Sequence, residues 1–389
     1  MRIAPDNSAE GKELGMAEAY AGNTVDARDA ITPMRDYGFF AKDSVARRVW
    51  IYPTSFLIGF SRAVTIEHLD PHLAAAVIAS GQVKQRTPLR FDRTMQYFAT
   101  ILYGDAQSVL KSSDILMKVH QRAIGVDPVT GQQFAANNPE SQKWIHLTAW
   151  HSILISYEMF GPGKLSEEEE LEYWRECAVA AAFQTIDVDS LPRTRAEVAA
   201  YFEEFRPKMV ASEGMLDMFD FLVDMQLSSL PKWVPWNIRW TVNTFTSRAV
   251  LATMPQWMRE MGGRPQGRAT DLAAIVALKP ILLTIHLLPP VLKLKIVKAM
   301  TPRTMPIVAP YVNGVKPLNE KVWENAEARA EFGFLRTPRE IWAEQVEARK
   351  AGKIKGYEKN HKDEIIAFDT VGEAGGTIRN REQKDKVAR

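Results

Sequence analysis

Along the middle of this chain apolar residues recur at the three- and four-residue steps of a helix, and almost nowhere at the two-residue step of a strand. Tyr97, Phe98, Ile101 and Leu102 follow Thr94 in that rhythm. Val109, Leu110, Leu116, Met117, His120 and Ile124 continue it, with Gly125 as a stop signal. Ser166 with Glu169, and Thr194 with Glu197 after Leu191-Pro192, have the spacing of capping boxes, in which hydroxyl and carboxylate satisfy the free N–H groups of a helix start. Together these elements predict an all-α fold.

The same pattern divides the chain. Residues 1–45 are polar and aperiodic and read as an N-terminal extension, while 46–300 hold nearly all the apolar periodicity and read as the functional domain. Residues 301–389 read as a charged C-terminal arm, whose Gly372, Gly375 and Gly376 lack the Gly-Lys-Ser/Thr of a phosphate loop. The longest apolar run, Leu272 to Leu292, is interrupted by Lys279, Pro280, His286, Pro289 and Pro290. It predicts two short helices, buried or lying against a membrane surface. For the second case Lys293, Lys295 and Lys298 supply a basic flank, so that residues 272–298 would make a peripheral membrane contact.

Composition narrows the function classes. Lys plus Arg number 49 against 47 Asp plus Glu, and a net charge of +2 gives no reason to expect a nucleic-acid partner held by counterion release. The single cysteine, Cys177, excludes a disulfide framework, a four-thiolate zinc site and a C-x-x-C-H haem attachment. The stretch from Met1 to Thr24 lacks the charged start and apolar run of a signal peptide, which points to the cytoplasm.

Seven histidines are the natural candidates for metal chemistry: His68, His72, His120, His146, His151, His286 and His361. His120 is flanked one turn away on either side by Leu116, Met117, Ala123 and Ile124, so its imidazole projects from an apolar helix face, as a ligand or as a hydrogen-bonded core histidine. His68 and His72 have clip spacing, but Asp70-Pro71 between them argues against one helix carrying both. Glu358 and His361 form a lone E-x-x-H, short of the two such motifs and two further glutamates of a carboxylate di-iron bundle. Arg90, Arg93 and Thr94 share one helix face, continued by Tyr97 and Phe98; they read as a clamp for carboxylates or dioxygen, or as a solvated helix start. A rival from another class is the run from Ser55 to Ala63, which approximates a nucleophile elbow around Ser61. Its last glycine is replaced by Ala63 and no strand series follows.

Several pieces occur in a telling order: Arg90-Phe91-Asp92-Arg93-Thr94, Tyr103-Gly104-Asp105, Val119-His120 with Gly125, and Trp144-Ile145-His146 through Ser152 and Tyr157. Tyr173-Trp174 after Leu165-Ser166, Leu191-Pro192-Arg193-Thr194 and Met254-Pro255-Gln256-Trp257 extend the series. From about Val49 to Gly262 the chain resembles the family of the rubber oxygenases (latex-clearing proteins) and the membrane-bound oxygenase of mycophenolic acid biosynthesis. The resemblance implies a globin-like helical core holding a b-type haem, with His120 as the iron ligand and Arg90 and Thr94 matching the arginine and threonine of the distal segment. It implies an oxygenase using haem and dioxygen on a hydrophobic small molecule, isoprenoid or lipid-like.

This chain also departs from that family. Rubber-cleaving members carry, before the threonine, a lysine that can ligate iron; here Arg93 stays protonated and cannot. Arg93 or Thr94 would instead donate a hydrogen bond to dioxygen, and Arg90 would pair with a haem propionate. No acidic residue lies between Pro71 and Phe91 to match the family's upstream glutamate base, so cleavage of polyisoprene itself is not implied. His146 and Trp144 line the site or pack beside it. A haem-binding sensor or carrier without turnover, and a hydrolase using Ser61, remain as alternative readings.

Overall fold

The computed structural model describes residues 31–354 except 81–86, 128–129, 226–229 and 231, with backbone only for 76–80. Sixteen α-helices and one short hairpin make up these residues, an all-α fold as the periodicity predicts. Helix α1 (Val45–Trp50) is followed by a π-helical turn (Ser55–Gly59) that runs straight into α2 (Phe60–Glu67). Then come α3 (Pro71–Ser80), α4 (Thr87–Tyr103) and α5 (Ala106–His120). Strands β1 (Ile124–Val126) and β2 (Gln133–Ala135) pair antiparallel, with Gly125 opposite Phe134. Helices α6 (Pro139–Phe160), α7 (Glu167–Ala181), α8 (Arg195–Phe205), α9 (Glu213–Val223) and α10 (Trp236–Ala252) complete the body. Beyond them lie α11 (Gln256–Met261), α12 (Arg268–Leu287), α13 (Pro290–Met300), α14 (Met305–Val312), α15 (Asn325–Phe332) and α16 (Pro338–Lys350).

Helix α6 is the axis of the fold because it is apolar on more than one side. Trp150 and Leu154 enter a core with Trp50, Leu102, Tyr173 and Trp174, whereas Trp144 and Phe160 enter a second with Ile66, Phe219 and Leu251. A smaller cluster of Phe56, Phe60, Phe91, Met95, Met218 and Leu222 joins the π-helical turn, α2, α4 and α9. Buried Arg62 ties α2 to its neighbours, donating to Ser152 Oγ at 2.7 Å and to the Thr253 carbonyl at 3.3 Å.

The ends of the described chain pack on this body. Phe39 and Phe40 are in the core, and Asp36 accepts from the Gly38 N–H and from the Ala106 N–H at the start of α5. Backbone bonds from Leu318 to Met34, Asn319 to Arg35, Tyr37 to Lys321 and Trp323 to Gly38 lash residues 34–38 to residues 318–323. Glu358, His361 and the glycines from Gly372 onward lie outside the described residues.

Four local expectations are corrected. The helix carrying His120 ends there, and Ile124 and Gly125 belong to β1. Gly125 is required by close approach, since a Cβ there would lie 2.8 Å from the Phe134 ring. Helix α4 begins at Thr87, so Arg90, Arg93 and Thr94 are inside it and do not mark its start. Pro280 lies within α12; the carbonyl it leaves without an N–H partner, that of Val276, is on the exposed side, and the break comes at Pro289-Pro290. The Ser166 box is complete, but Glu197 turns its carboxylate to the Arg193 N–H, leaving Thr194 as a one-sided cap.

Candidate functional site

Helices α2 to α6, strand β2 and α9 surround a cavity of about 280 Å³. Its walls are largely apolar, with Phe60 and Val64 from α2, Phe91 and Phe98 from α4, Leu116 from α5 and Phe134 from β2 among them. Into this cavity come four residues that the sequence singled out: Arg90, Arg93 and Thr94 from α4, and His120 from the end of α5. The i, i+3, i+4 spacing does what helical geometry requires and puts the first three on one face. Asp92, between them, faces elsewhere and accepts from the backbone N–H groups of Arg303 and Thr304, fixing the approach to α14.

Three further groups share the cavity: Glu67, His68 and His72. Pro71 does separate the two histidines onto different helices, yet the turn between α2 and α3 brings both to the same space. Glu67 continues the face of Phe60 and Val64 at helical spacing, and that stripe is the signal that sequence reasoning passed over. Burial pushes its carboxyl up to about 8, so it is protonated at neutral pH.

The imidazoles of His120 and His68 are neutral at neutral pH. Burial lowers His120 to about 4, with the Arg90 charge acting in the same direction and the Asn137 side chain against it. Burial likewise lowers His68 to about 4, opposed by its bond to the Val64 carbonyl and aided by Arg90. Gln142 Nε2 lies 3.1 Å from His120 Nδ1 and 2.7 Å from the Ala136 carbonyl. His68 Nδ1 lies 2.5 Å from the Val64 carbonyl, and its buried Nε2 has no hydrogen-bond partner among the described residues. His72 Nδ1 is 3.8 Å from Asp127 Oδ2.

Other candidates are elsewhere. His146 packs beside Trp150 with Nε2 at 2.8 Å from the Cys177 carbonyl, and Trp144 stacks on Phe205 at 3.8 Å between centroids. His151 is 3.5 Å from Arg62, and His286 stacks on Tyr52. Ser61 is buried within α2, with Oγ 3.5 Å from the Leu57 carbonyl; the run before it is a helical turn, and Gly59 has the φ of −61° of a helix. The strand and sharp turn of a nucleophile elbow are therefore not formed around Ser61.

The model of the family described as ER-bound oxygenase mpaB/B' and rubber oxygenase, catalytic domain, matches residues 47–281, more than half of the chain. The chain belongs to this oxygenase family. The matched span contains every described residue that lines the cavity. No curated protein and no solved structure matches the chain.

The cavity's residues fit the cofactor that the family resemblance implies. Among the described residues no three His, Cys, Asp or Glu side chains gather as a metal-holding cluster. A metal held here by one or two neutral imidazoles would need a macrocycle to supply its other ligands, and an apolar cavity with a guanidinium on its wall suits a flat apolar ring bearing carboxylates. The buried lone pair of His68 Nε2 is a second nitrogen for such a group to meet.

Proposed function

We propose that the chain is a b-type haem-dependent oxygenase acting on a hydrophobic small molecule, isoprenoid or lipid-like. The observation that carries this reading is one apolar cavity in which His120, Arg90, Arg93 and Thr94 come together, inside the span matched to an oxygenase family. Haem would supply the redox chemistry with dioxygen, and the chain supplies ligand, pocket polarity and access.

His120 would hold the iron, with Gln142 setting the ring's orientation at Nδ1. Arg90 would neutralise a propionate, and its charge adds to the burial that keeps His68 and His120 unprotonated. Arg93 is a permanent hydrogen-bond donor that cannot accept, and Thr94, the exposed one of the three, stands where the cavity meets solvent. Glu67 supplies a buried carboxyl on the cavity wall where the segment between Pro71 and Phe91 has none. With its carboxyl near 8 it donates below that pH and accepts above it, as a general acid–base group requires. Apolar walls favour an alkene or acyl chain over a charged substrate.

The family reading is tested by adding hemin to the purified full chain. A Soret band with one iron per chain, lost in His120→Ala and kept in His146→Ala and His151→Ala, is expected. Oxygen consumption with an alkene then separates an enzyme from a carrier. Protein that stays colourless with hemin defeats the proposal.

The same reading extends to a place of action on an anionic membrane surface. Helix α12 is long and apolar enough to cross a membrane, but Ala274, Leu278 and Leu282 pack it inward on the body. Its opposite stripe, Leu272, Val276, Leu283 and Leu287, is exposed, as are Trp236 and Trp240 on α10, against which α12 packs, and Trp233 just before it. A helix buried on one side and largely apolar on the other calls for a second apolar medium. Lys279, Lys295 and Lys298 on the same helical pair match anionic headgroups, and interfacial tryptophans suit the headgroup boundary. Behind this face a second cavity of about 290 Å³ is lined by Phe56, Leu57, Ile285, Val297 and Met300 with Lys293, a place for a lipid chain.

A further inference from the structure

The His68 ring is fixed in one tautomer. Its Nδ1 faces the Val64 carbonyl at 2.5 Å, and a carbonyl only accepts, so Nδ1 carries the ring's proton and donates it. In a neutral imidazole the other nitrogen is then a bare lone pair. That nitrogen, Nε2, is buried without a hydrogen-bond partner among the described residues, on a ring that lines the cavity. Burying an acceptor in this condition is unfavourable unless something else satisfies it. A ring N–H bonded to a backbone carbonyl is also the arrangement that fixes a ligating histidine and raises its basicity.

His120 is set the other way. The Ala136 carbonyl holds the Gln142 amide nitrogen at 2.7 Å, and the same nitrogen donates to His120 Nδ1 at 3.1 Å. His120 Nδ1 therefore accepts, and the neutral ring carries its proton on Nε2. To coordinate through Nε2, His120 must move that proton to Nδ1 while Gln142 turns its oxygen toward the ring; His68 needs neither change. Arg93 cannot release a proton to expose a lone pair. His72 Nδ1 is also buried without a hydrogen-bond partner among the described residues, 3.8 Å from Asp127 Oδ2, but no carbonyl bond among those residues fixes its tautomer as the Val64 carbonyl fixes that of His68.

We infer that His68 coordinates the haem iron through Nε2 in the resting protein, as a second protein ligand alongside His120 that has to leave before dioxygen can bind. The inference rests on the haem reading and goes beyond it. It assigns the turn between α2 and α3 a role in holding the cofactor, and it puts Glu67, the preceding residue, beside the ligand.

The test uses the full chain loaded with hemin, read by absorption and electron paramagnetic resonance. Wild type should be six-coordinate and low-spin. His68→Ala should keep hemin at one per chain but become high-spin with a shifted Soret band, and added imidazole should restore the low-spin spectrum. His68→Gln, closer in volume and without an imidazole, gives the same readout should the alanine variant not fold. Hemin bound with the same spectrum in wild type and both variants overturns the inference and leaves the haem reading standing. Hemin not bound by wild type overturns both.

Discussion

Asn137 Nδ2 donates to Gln345 Oε1 and to the Met117 carbonyl, each at 2.9 Å, joining residues 208 positions apart in sequence. Gln345 on α16 also reaches the Met117 carbonyl, at 3.3 Å. The end of α5, where His120 sits, is thus gripped by the turn before α6 and by the C-terminal arm together. Gln345→Ala strips an acceptor from a buried amide, at a cost of about 1–3 kcal/mol. The melting temperature should fall and hemin binding should weaken with it. A variant that melts lower yet binds hemin as tightly as wild type would show that the arm stabilises the fold without steadying His120.

Glu67 gives a pH dependence whose sign can be worked out. Its folded value is about 8 against an ordinary 4.5, so between those limits the folded chain keeps a proton that the unfolded chain has released. Stability from this group is fully present below about 4.5 and is lost as pH rises to about 8, at roughly 1.4 kcal/mol for each pH unit. His68, His120 and His146, all lowered to about 4, act oppositely and cost stability as pH falls from 6.5 toward 4. Those histidines are common to both proteins when wild type is compared with Glu67→Gln. The variant's relative stability should therefore climb from pH 5 to pH 8 in urea titrations, and parallel profiles would place the Glu67 carboxylate in water.

Arg93 should act by charge and hydrogen bonding. Arg93→Ala is expected to retain hemin but bind oxygen less well, by roughly 1.5–3 kcal/mol for one charge-assisted bond. Arg93→Lys is sharper when made together with His68→Ala, because a buried lysine of lowered pKa can coordinate where arginine cannot. A low-spin spectrum in that double variant, absent from His68→Ala alone, would bring residue 93 within reach of the iron. Unchanged spectra and oxygen binding throughout would remove Arg93 from the site.

What the sequence disclosed and what it withheld follow from the range of the interactions. Arg90, Arg93, Thr94 and His120 were readable because helical spacing and apolar neighbours are local properties, and the fold brings all four into one cavity. Glu67 and His68 were hidden because their place depends on a turn at Asp70-Pro71 that reads, locally, only as a helix break. Gln142 and Gln345 were hidden because a glutamine's partner, 22 or 208 positions away in sequence, is shown only by the folded chain. Gly125 misled because glycine after an apolar helix looks alike whether it ends the helix or lets a ring approach a strand. Pro280 misled because a proline is tolerated inside a helix where the carbonyl it orphans faces outward.

The exposed stripe of α12 supplies the last prediction. Leu283 and Leu287 point away from the buried Ala274, Leu278 and Leu282, so their replacement by aspartate should leave the fold intact while placing two charges where lipid would be. Full-length wild type is expected to sediment with vesicles rich in anionic phospholipid, and Leu283→Asp/Leu287→Asp to remain in the supernatant. Lysine contributes about fivefold in partitioning at such a surface, so Lys295→Glu/Lys298→Glu should bind at least roughly 25-fold more weakly at low salt. That loss should shrink as salt screens the surface, whereas the loss in the aspartate pair should not. Should the aspartate pair bind vesicles as wild type does, the face is not the docking surface. Wild type that ignores vesicles but forms dimers broken by the same two aspartates would show that this face is covered by a second copy of the chain.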